Sequence, residues 1–242
     1  MPGGLGLFSR ADGMPHPHVL FPLGKDESPG LLSGGTSFMQ WLGDRHQLGS
    51  AIEMVDGVLF YLPGFLTRER ADAALALLQA ELDWEQHEIQ IFGKQLPCPR
   101  LSAWYGDADA GYRYSGLSLS PLPWHGLLAE LKQQLLEVSG QAFNSVLANL
   151  YRDGSDSMGW HADNEPELGQ NPVIASISLG AERRFLLRHR RKKAAEPQEL
   201  LLQHGSLLVM AGTTQHYWRH SLPKTARAMG PRINLTFRKI LG

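Results

Sequence analysis

From Met54 onward, apolar and polar residues fall into periods that define successive elements. Met54–Val55 and Val58–Leu59–Phe60–Tyr61 flank Asp56–Gly57, a turn dipeptide between two apolar runs, which predicts a short hairpin. Thr67 stands where a helix N-cap belongs, and Ala71, Ala74, Leu75, Leu78 and Leu82 then recur on one helical face. A second helix carries Leu128, Leu131, Leu135 and Val138, with Gly140 placed as its C-terminal stop. After Gln141 the period shortens. Apolar or alternating runs at 145–151, 173–179, 184–189, 199–203, 206–211 and 232–238, parted by Gly, Pro, Asn and charged residues, predict strands. Two helices followed by many short strands predict an α+β domain whose sheets stack or roll into a barrel-like sandwich.

Residues 1–50 follow neither period. Ten glycines and five prolines stand among those fifty residues, the composition of a flexible tail or linker, so the folded domain is expected over 51–242. The whole chain of 242 residues is 43% hydrophobic and 19% charged, which excludes wholesale disorder. One cysteine, Cys98, rules out a disulfide framework and any multi-cysteine metal site, and fits a reducing compartment. With no membrane-spanning apolar run and no basic-then-apolar leader, the expectation is a soluble intracellular monomer of the cytoplasm, nucleoid or nucleus, without membrane contact. Net charge is −1, so a nucleic-acid partner would have to be gathered by clustered basic residues rather than by bulk charge. Such a cluster exists in Arg183, Arg184, Arg188, Arg190, Arg191, Lys192 and Lys193, either a solvated hairpin face or a set of phosphate contacts.

Two segments carry chemistry. In a strand, His161 and Asp163 would share a face and aim an imidazole and a carboxylate at one point. One more histidine would complete a facial triad that leaves three positions of an octahedral iron open. Arg232–Ile233–Asn234–Leu235–Thr236–Phe237–Arg238 alternates strictly, with its polar residues on one face. That face is either exposed, with solvated arginines, or turned inward, where two guanidiniums would need an anion charged at both ends. A dicarboxylate such as 2-oxoglutarate meets that need. Spacing does not select the third histidine from His189, His204, His216 and His220.

From Pro63 to Leu241 the chain resembles the AlkB family of nucleic-acid dealkylating dioxygenases, especially its duplex-DNA-repairing animal branch. The resemblance rests on Pro63–Gly64–Phe65–Leu66, Ile91–Phe92–Gly93–Lys94, Tyr114–Ser115–Gly116–Leu117, Asn149–Leu150–Tyr151 and His161–Ala162–Asp163. It continues through Ile174–Ala175–Ser176–Ile177–Ser178–Leu179–Gly180, His204–Gly205–Ser206–Leu207–Leu208, His220–Ser221–Leu222–Pro223 and the run Pro231 to Leu241. It implies a double-stranded β-helix (jelly-roll) core with helices buttressing one sheet, and it implies His220 as the third ligand with His161 and Asp163. It further implies Fe(II), O2 and 2-oxoglutarate as cofactor and cosubstrates. Asn149, Tyr151, Arg232, Asn234, Thr236 and Arg238 would bind 2-oxoglutarate, Arg238 and Tyr151 at its distal carboxylate and Arg232 and Asn234 nearer the iron.

The same resemblance implies hydroxylation of the N-alkyl carbon of bases such as 1-methyladenine and 3-methylcytosine, with release of an aldehyde and restoration of the base. A base must leave the stack to reach such a site. Phe92, Gly93 and Lys94 would form an intercalating finger, Tyr112, Arg113 and Tyr114 a substrate lid, and Asn164 and Glu165 contacts to the base edge. Asn164 stands where the animal branch has an acidic residue. The expected partner is alkylated DNA, with RNA as the alternative nucleic acid. The rival readings are a dioxygenase of the same scaffold acting on RNA, protein or a small molecule, and a non-catalytic nucleic-acid-binding module.

Overall fold

The computed structural model describes residues 48–91, 94–114, 117–191 and 195–241. The predicted hairpin is β1 (Ala51–Met54) and β2 (Gly57–Leu62), turning through Asp56, whose φ of 56° is a left-handed conformation that aspartate tolerates. Leu48 is fully buried in the main core, so ordered packing reaches into the segment read as a tail. Helix α1 (Arg68–Glu81) starts where predicted, the Thr67 hydroxyl accepting from Arg70 N at 3.3 Å. Helix α2 (Gly126–Ser139) ends on Gly140, which has a φ of 59° that favours glycine.

The strands β3 (Glu88–Ile91), β4 (Lys94–Pro97), β5 (Leu101–Gly106), β6 (Tyr112–Tyr114) and β7 (Leu117–Leu119) precede α2. After it come β8 (Ser145–Tyr151), β9 (Met158–His161), β10 (Ile174–Gly180), β11 (Arg183–His189), β12 (Gln198–Leu202) and β13 (Ser206–Ala211). A one-turn helix, α3 (Thr214–Tyr217), leads into β14 (Trp218–Leu222), and β15 (Arg232–Arg238) closes the fold. A seven-stranded sheet runs β1-β2-β13-β10-β15-β8-β5 and a four-stranded one β12-β11-β14-β9. Both are wholly antiparallel, the stacked sheets of a jelly roll.

Period-2 alternation divides the core in two. Leu207, Val209 and Ala211 of β13 join Ala175, Ile177 and Leu179 of β10 and Ile233, Leu235 and Phe237 of β15 beneath α1 and α2. Their neighbours Leu208 and Met210 point the other way, into a second cluster with Phe185, Leu187, Leu202 and Trp218 of the smaller sheet. The helices therefore buttress the large sheet alone, and the space between the sheets is lined by the opposite residues of the same strands. Phe237, fully buried beside Phe143 and Trp124, anchors the helix side; truncating such a ring costs about 3–5 kcal/mol. Because β15 gives Ile233, Leu235 and Phe237 to that side, Arg232, Asn234, Thr236 and Arg238 must face the gap between the sheets.

Candidate metal centre and cosubstrate pocket

β9 and β14 pair so that His161 lies directly opposite His220, and their ring centroids are 4.2 Å apart. Asp163 does not share a strand with His161, contrary to the geometry expected of the H-x-D spacing. β9 ends at His161, and Asp163 lies in the segment beyond it. There the Asp163 N–H donates to Gln215 Oε1 at 2.9 Å, and Gln215 is itself fully buried on α3. The carboxylate is set by its neighbours: Oδ1 accepts from Arg238 at 2.5 Å, and Oδ2 stands 3.7 Å from His220 Nε2. His161, Asp163 and His220 each offer one ligand atom, all within 4.8 Å of one another. Two imidazole nitrogens and one carboxylate oxygen are the donor set of a facial-triad iron site.

The electrostatics suit metal binding. Burial pushes the His220 imidazole down to about 3, helped by His161 and opposed by Asp163. Burial also lowers His161, again against the pull of Asp163. Both rings are thus neutral at neutral pH, the form that ligates. His161 Nδ1 lies 2.9 Å from the Gly159 carbonyl; donation to that oxygen leaves Nε2 for a metal. Burial raises the neighbouring Glu165 carboxyl to about 7, against the pull of Arg238. The other candidate histidines are engaged elsewhere. His216 Nε2 accepts from Asn171 N at 3.3 Å, His204 Nδ1 from Gly180 N at 2.8 Å, and His189 Nε2 lies 3.3 Å from Asp56.

The cavity at this centre, about 480 Å³ including its open mouth, is lined by the triad together with Asn149, Tyr151, Arg232, Asn234, Thr236 and Arg238. Strand register explains the grouping: Arg232 pairs with Tyr151 and Asn234 with Asn149 across β15 and β8. Gly180 pairs with Arg232 from the other side; its φ is +86°, and a Cβ there would run into the Pro231 carbonyl. The inward reading of the alternating strand is the one the fold adopts. Arg232 is 1% exposed and Arg238 5%. The order of the two ends, however, is the reverse of the one expected. Arg238 is bonded to Asp163 and so stands at the metal end, whereas the Arg232 guanidinium lies 5.3 Å from the Tyr151 ring, at the far end. Burial lowers Arg232 to about 10, and its Nε has no hydrogen-bond partner among the described residues. A buried guanidinium with a spare donor fits an incoming carboxylate.

Several residues of this site carry no signal at the level of spacing. Arg100 donates from Nε to Asn149 Oδ1 at 2.9 Å, which turns the Asn149 amide nitrogen the other way. Ser178 accepts from Arg232 at 2.9 Å and Ser176 from Asn234 at 2.7 Å. The alternation of Ser176 and Ser178 within apolar β10 could have announced this pair; Arg100 and Gln215 stand in no such pattern.

Among the substrate candidates, Asn164 is exposed and its Oδ1 accepts from Arg190 at 3.4 Å, Glu165 precedes the short turn Pro166–Leu168, and neither lines the cavity. Phe92 and Gly93 lie outside the described residues; β3 and β4 pair with Ile91 opposite Lys94. Tyr112, Arg113 and Tyr114 form β6, paired with β7. The basic run is not one surface. Arg183 is 3% exposed and donates to backbone carbonyls, and Arg184 pairs with Glu199 at 2.7 Å. Arg188 lies 4.1 Å over the Trp160 ring. Lys192 and Lys193 fall outside the described residues.

Comparison with known proteins agrees with this geometry. Residues 58–238 match the model of the 2OG-Fe(II) oxygenase superfamily. The chain is 39% identical over 227 residues to the mouse (Mus musculus) DNA oxidative demethylase ALKBH2, covering 90% of this chain and 92% of that protein. It is 41% identical over 186 residues to the bovine (Bos taurus) alpha-ketoglutarate-dependent dioxygenase alkB homolog 3, covering 74% of this chain and 64% of the relative. Among solved structures it superposes on OsALKBH1 with a TM-score of 0.55 at 16% identity, over 78% of this chain and all of that one, a likeness of fold alone. By the matched superfamily and by relatives about two-fifths identical along most of its length, the chain belongs to the 2OG-Fe(II) oxygenases and, within them, to the AlkB family.

Proposed function

We propose that this chain repairs DNA by direct reversal, removing alkyl groups oxidatively from N-alkylated bases such as 1-methyladenine and 3-methylcytosine. The observation that carries the reading is one cavity lined by the His161–Asp163–His220 triad, with Arg238 bonded to Asp163 at that end and the buried Arg232 at the other. Relatives whose names describe DNA oxidative demethylases support the choice of substrate. The family's iron(II), when bound, supplies activation of O2 coupled to oxidative decarboxylation of 2-oxoglutarate.

The chain's own residues supply position and charge. His161, Asp163 and His220 would hold the metal, each offering one ligand atom. Arg238 fixes the Asp163 carboxylate by donating to its Oδ1. Arg232, backed by Ser178 and Tyr151, grips the distal carboxylate of 2-oxoglutarate. Asn149, its amide oriented by Arg100, donates to the cosubstrate, while Asn234, its amide nitrogen held by Ser176 and the Ile177 carbonyl, completes the wall with Thr236. Asn164 and Glu165 face the base edge, Tyr112, Arg113 and Tyr114 cover it, and Phe92, Gly93 and Lys94 enter the stack the base has left. The chain works as a monomer on DNA; among the described residues no helix is long and apolar enough to cross a membrane.

The test is to incubate the protein with oligonucleotides bearing each methylated base, with iron, ascorbate and 2-oxoglutarate, and to weigh the products. Repair appears as loss of one methylene mass per lesion with matching succinate. Succinate release without any change in the oligonucleotide would point to another substrate.

A further inference from the structure

Behind Tyr151, which lines the cavity, lies a second buried cation, Arg183, at the start of β11. Its guanidinium donates only to backbone carbonyls: to Asp153 at 3.2 Å, Asp156 at 2.9 Å and Pro223 at 2.7 Å. These oxygens belong to the segments that follow β8 and β14, the strands bearing Tyr151 and His220. The Tyr151 ring lies 5.9 Å from the Arg183 guanidinium and 5.3 Å from that of Arg232. Two buried guanidiniums therefore flank one tyrosine. Among the described residues, no ion pair involves either of them, and the Asp156 carboxylate is spent on Arg152 at 2.8 Å. Carbonyl dipoles and an aromatic face satisfy geometry, and the Asp153 and Asp156 carboxylates favour the Arg183 charge without forming an ion pair with it. Burial is what chiefly lowers Arg232, and the Arg183 charge lowers it further, while Tyr151 pulls the other way.

We infer that Arg183 is a positioning and specificity-determining residue for the cosubstrate: a carbonyl-caged cation that makes the far end of the cavity selective for a keto acid with a second carboxylate. The inference rests on the 2-oxoglutarate reading of the cavity. Arg232 makes the contact, and Arg183 acts through it and through Tyr151. With Arg183 in place, an uncharged end group leaves the two cations that flank Tyr151 without an anion in low dielectric, while a carboxylate relieves both. Arg183 thus raises the difference between dicarboxylate and monocarboxylate rather than affinity in general. The cage serves the same end, because an arginine held by three carbonyls from two segments cannot swing out to solvent when the cavity empties.

The measurement is binding by calorimetry, without oxygen, to the Mn(II)-loaded protein. One ligand is 2-oxoglutarate and the other 2-oxopentanoate, which differs by a methyl in place of the distal carboxylate. Wild-type, Arg183→Gln and Arg183→Lys are compared, with a melt of each. Glutamine keeps amide donors for the carbonyls but no charge; lysine keeps the charge. The expected result is that Arg183→Gln weakens 2-oxoglutarate on the order of tenfold, leaves 2-oxopentanoate unchanged, and that Arg183→Lys restores the preference. Equal weakening of both ligands in Arg183→Gln, or an unchanged preference in a folded Arg183→Gln protein, overturns the inference and leaves Arg183 a staple of the backbone. A wild-type protein that binds neither keto acid contradicts the 2-oxoglutarate reading itself, a result distinct from either.

Discussion

Arg238 Nη2 donates to Asp163 Oδ1 at 2.5 Å, so the arginine at the end of β15 is bonded to a candidate metal ligand rather than to the far end of the cavity. Both groups are almost wholly buried, and leaving one of such a pair without the other costs about 3–5 kcal/mol. The two arginines of β15 should therefore fail differently when removed.

Arg238→Ala should weaken iron binding on the order of 10–100-fold, as loss of a partner that orients a metal ligand typically does, and should lower thermal stability as well. Arg232→Met should raise the 2-oxoglutarate requirement while metal affinity stays near wild type. Metal titration followed by cosubstrate titration of each variant reads both effects. A metal affinity unchanged in Arg238→Ala would contradict the role assigned to that pair.

The triad prediction concerns which histidine completes the site. His161→Ala, Asp163→Ala and His220→Ala should each abolish turnover with the fold intact by circular dichroism. His216→Ala should retain it, because His216 bonds Asn171 N outside the cluster. Activity lost in His216→Ala and kept in His220→Ala would reverse the assignment.

The metal-free protein should lose stability in mild acid. His220 takes up a proton only at about 3 in the folded chain, against an ordinary value of 6.5. Below 6.5 the unfolded chain gains a proton that the folded chain does not, so folding weakens as pH falls from 6.5 towards 3. His161, shifted the same way by burial, adds to the trend. Melting temperature measured against pH should fall across that window, and less steeply in His220→Gln. A flat profile, or an identical slope in the variant, would show that these imidazoles are not held neutral.

Much of this was readable along the chain, and the limits have physical causes. The alternation of β15 identified both faces of the strand, but only the apolar residues of its neighbours decide which face looks inward: Ile177 and Leu179 of β10 and Val146 and Ala148 of β8 pack under the helices, forcing Arg232 and Arg238 the other way. The order of Arg232 and Arg238 along the cavity depended on how β9 and β14 place Asp163, a relation between strands distant in sequence. Spacing does not mark β9 and β14 as apolar runs, because His161 and His220, which the site requires, and Arg219 interrupt them. Along the sequence Arg183 belongs to the basic run. Its spacing resembles that of Arg184 and Arg188, and only the carbonyl cage distinguishes it.

The finger reading makes a prediction about strandedness. An apolar wedge matters where a base stack must be held open, and a single strand has little stacking to break. Phe92→Ala should depress repair of methylated duplex far more than repair of the same lesion in a single strand, with an unchanged melting temperature. Equal loss on both substrates in a stable variant would assign this loop another task.

The most direct test of the account is product mass after reaction of the iron-loaded protein with duplex DNA carrying a single 1-methyladenine or 3-methylcytosine. The account predicts loss of one methylene mass per lesion, one succinate formed for each lesion repaired, and neither product when 2-oxoglutarate is omitted or Asp163 is replaced by alanine. An unchanged oligonucleotide in single- and double-stranded form, from a protein shown to bind iron and 2-oxoglutarate, would contradict it.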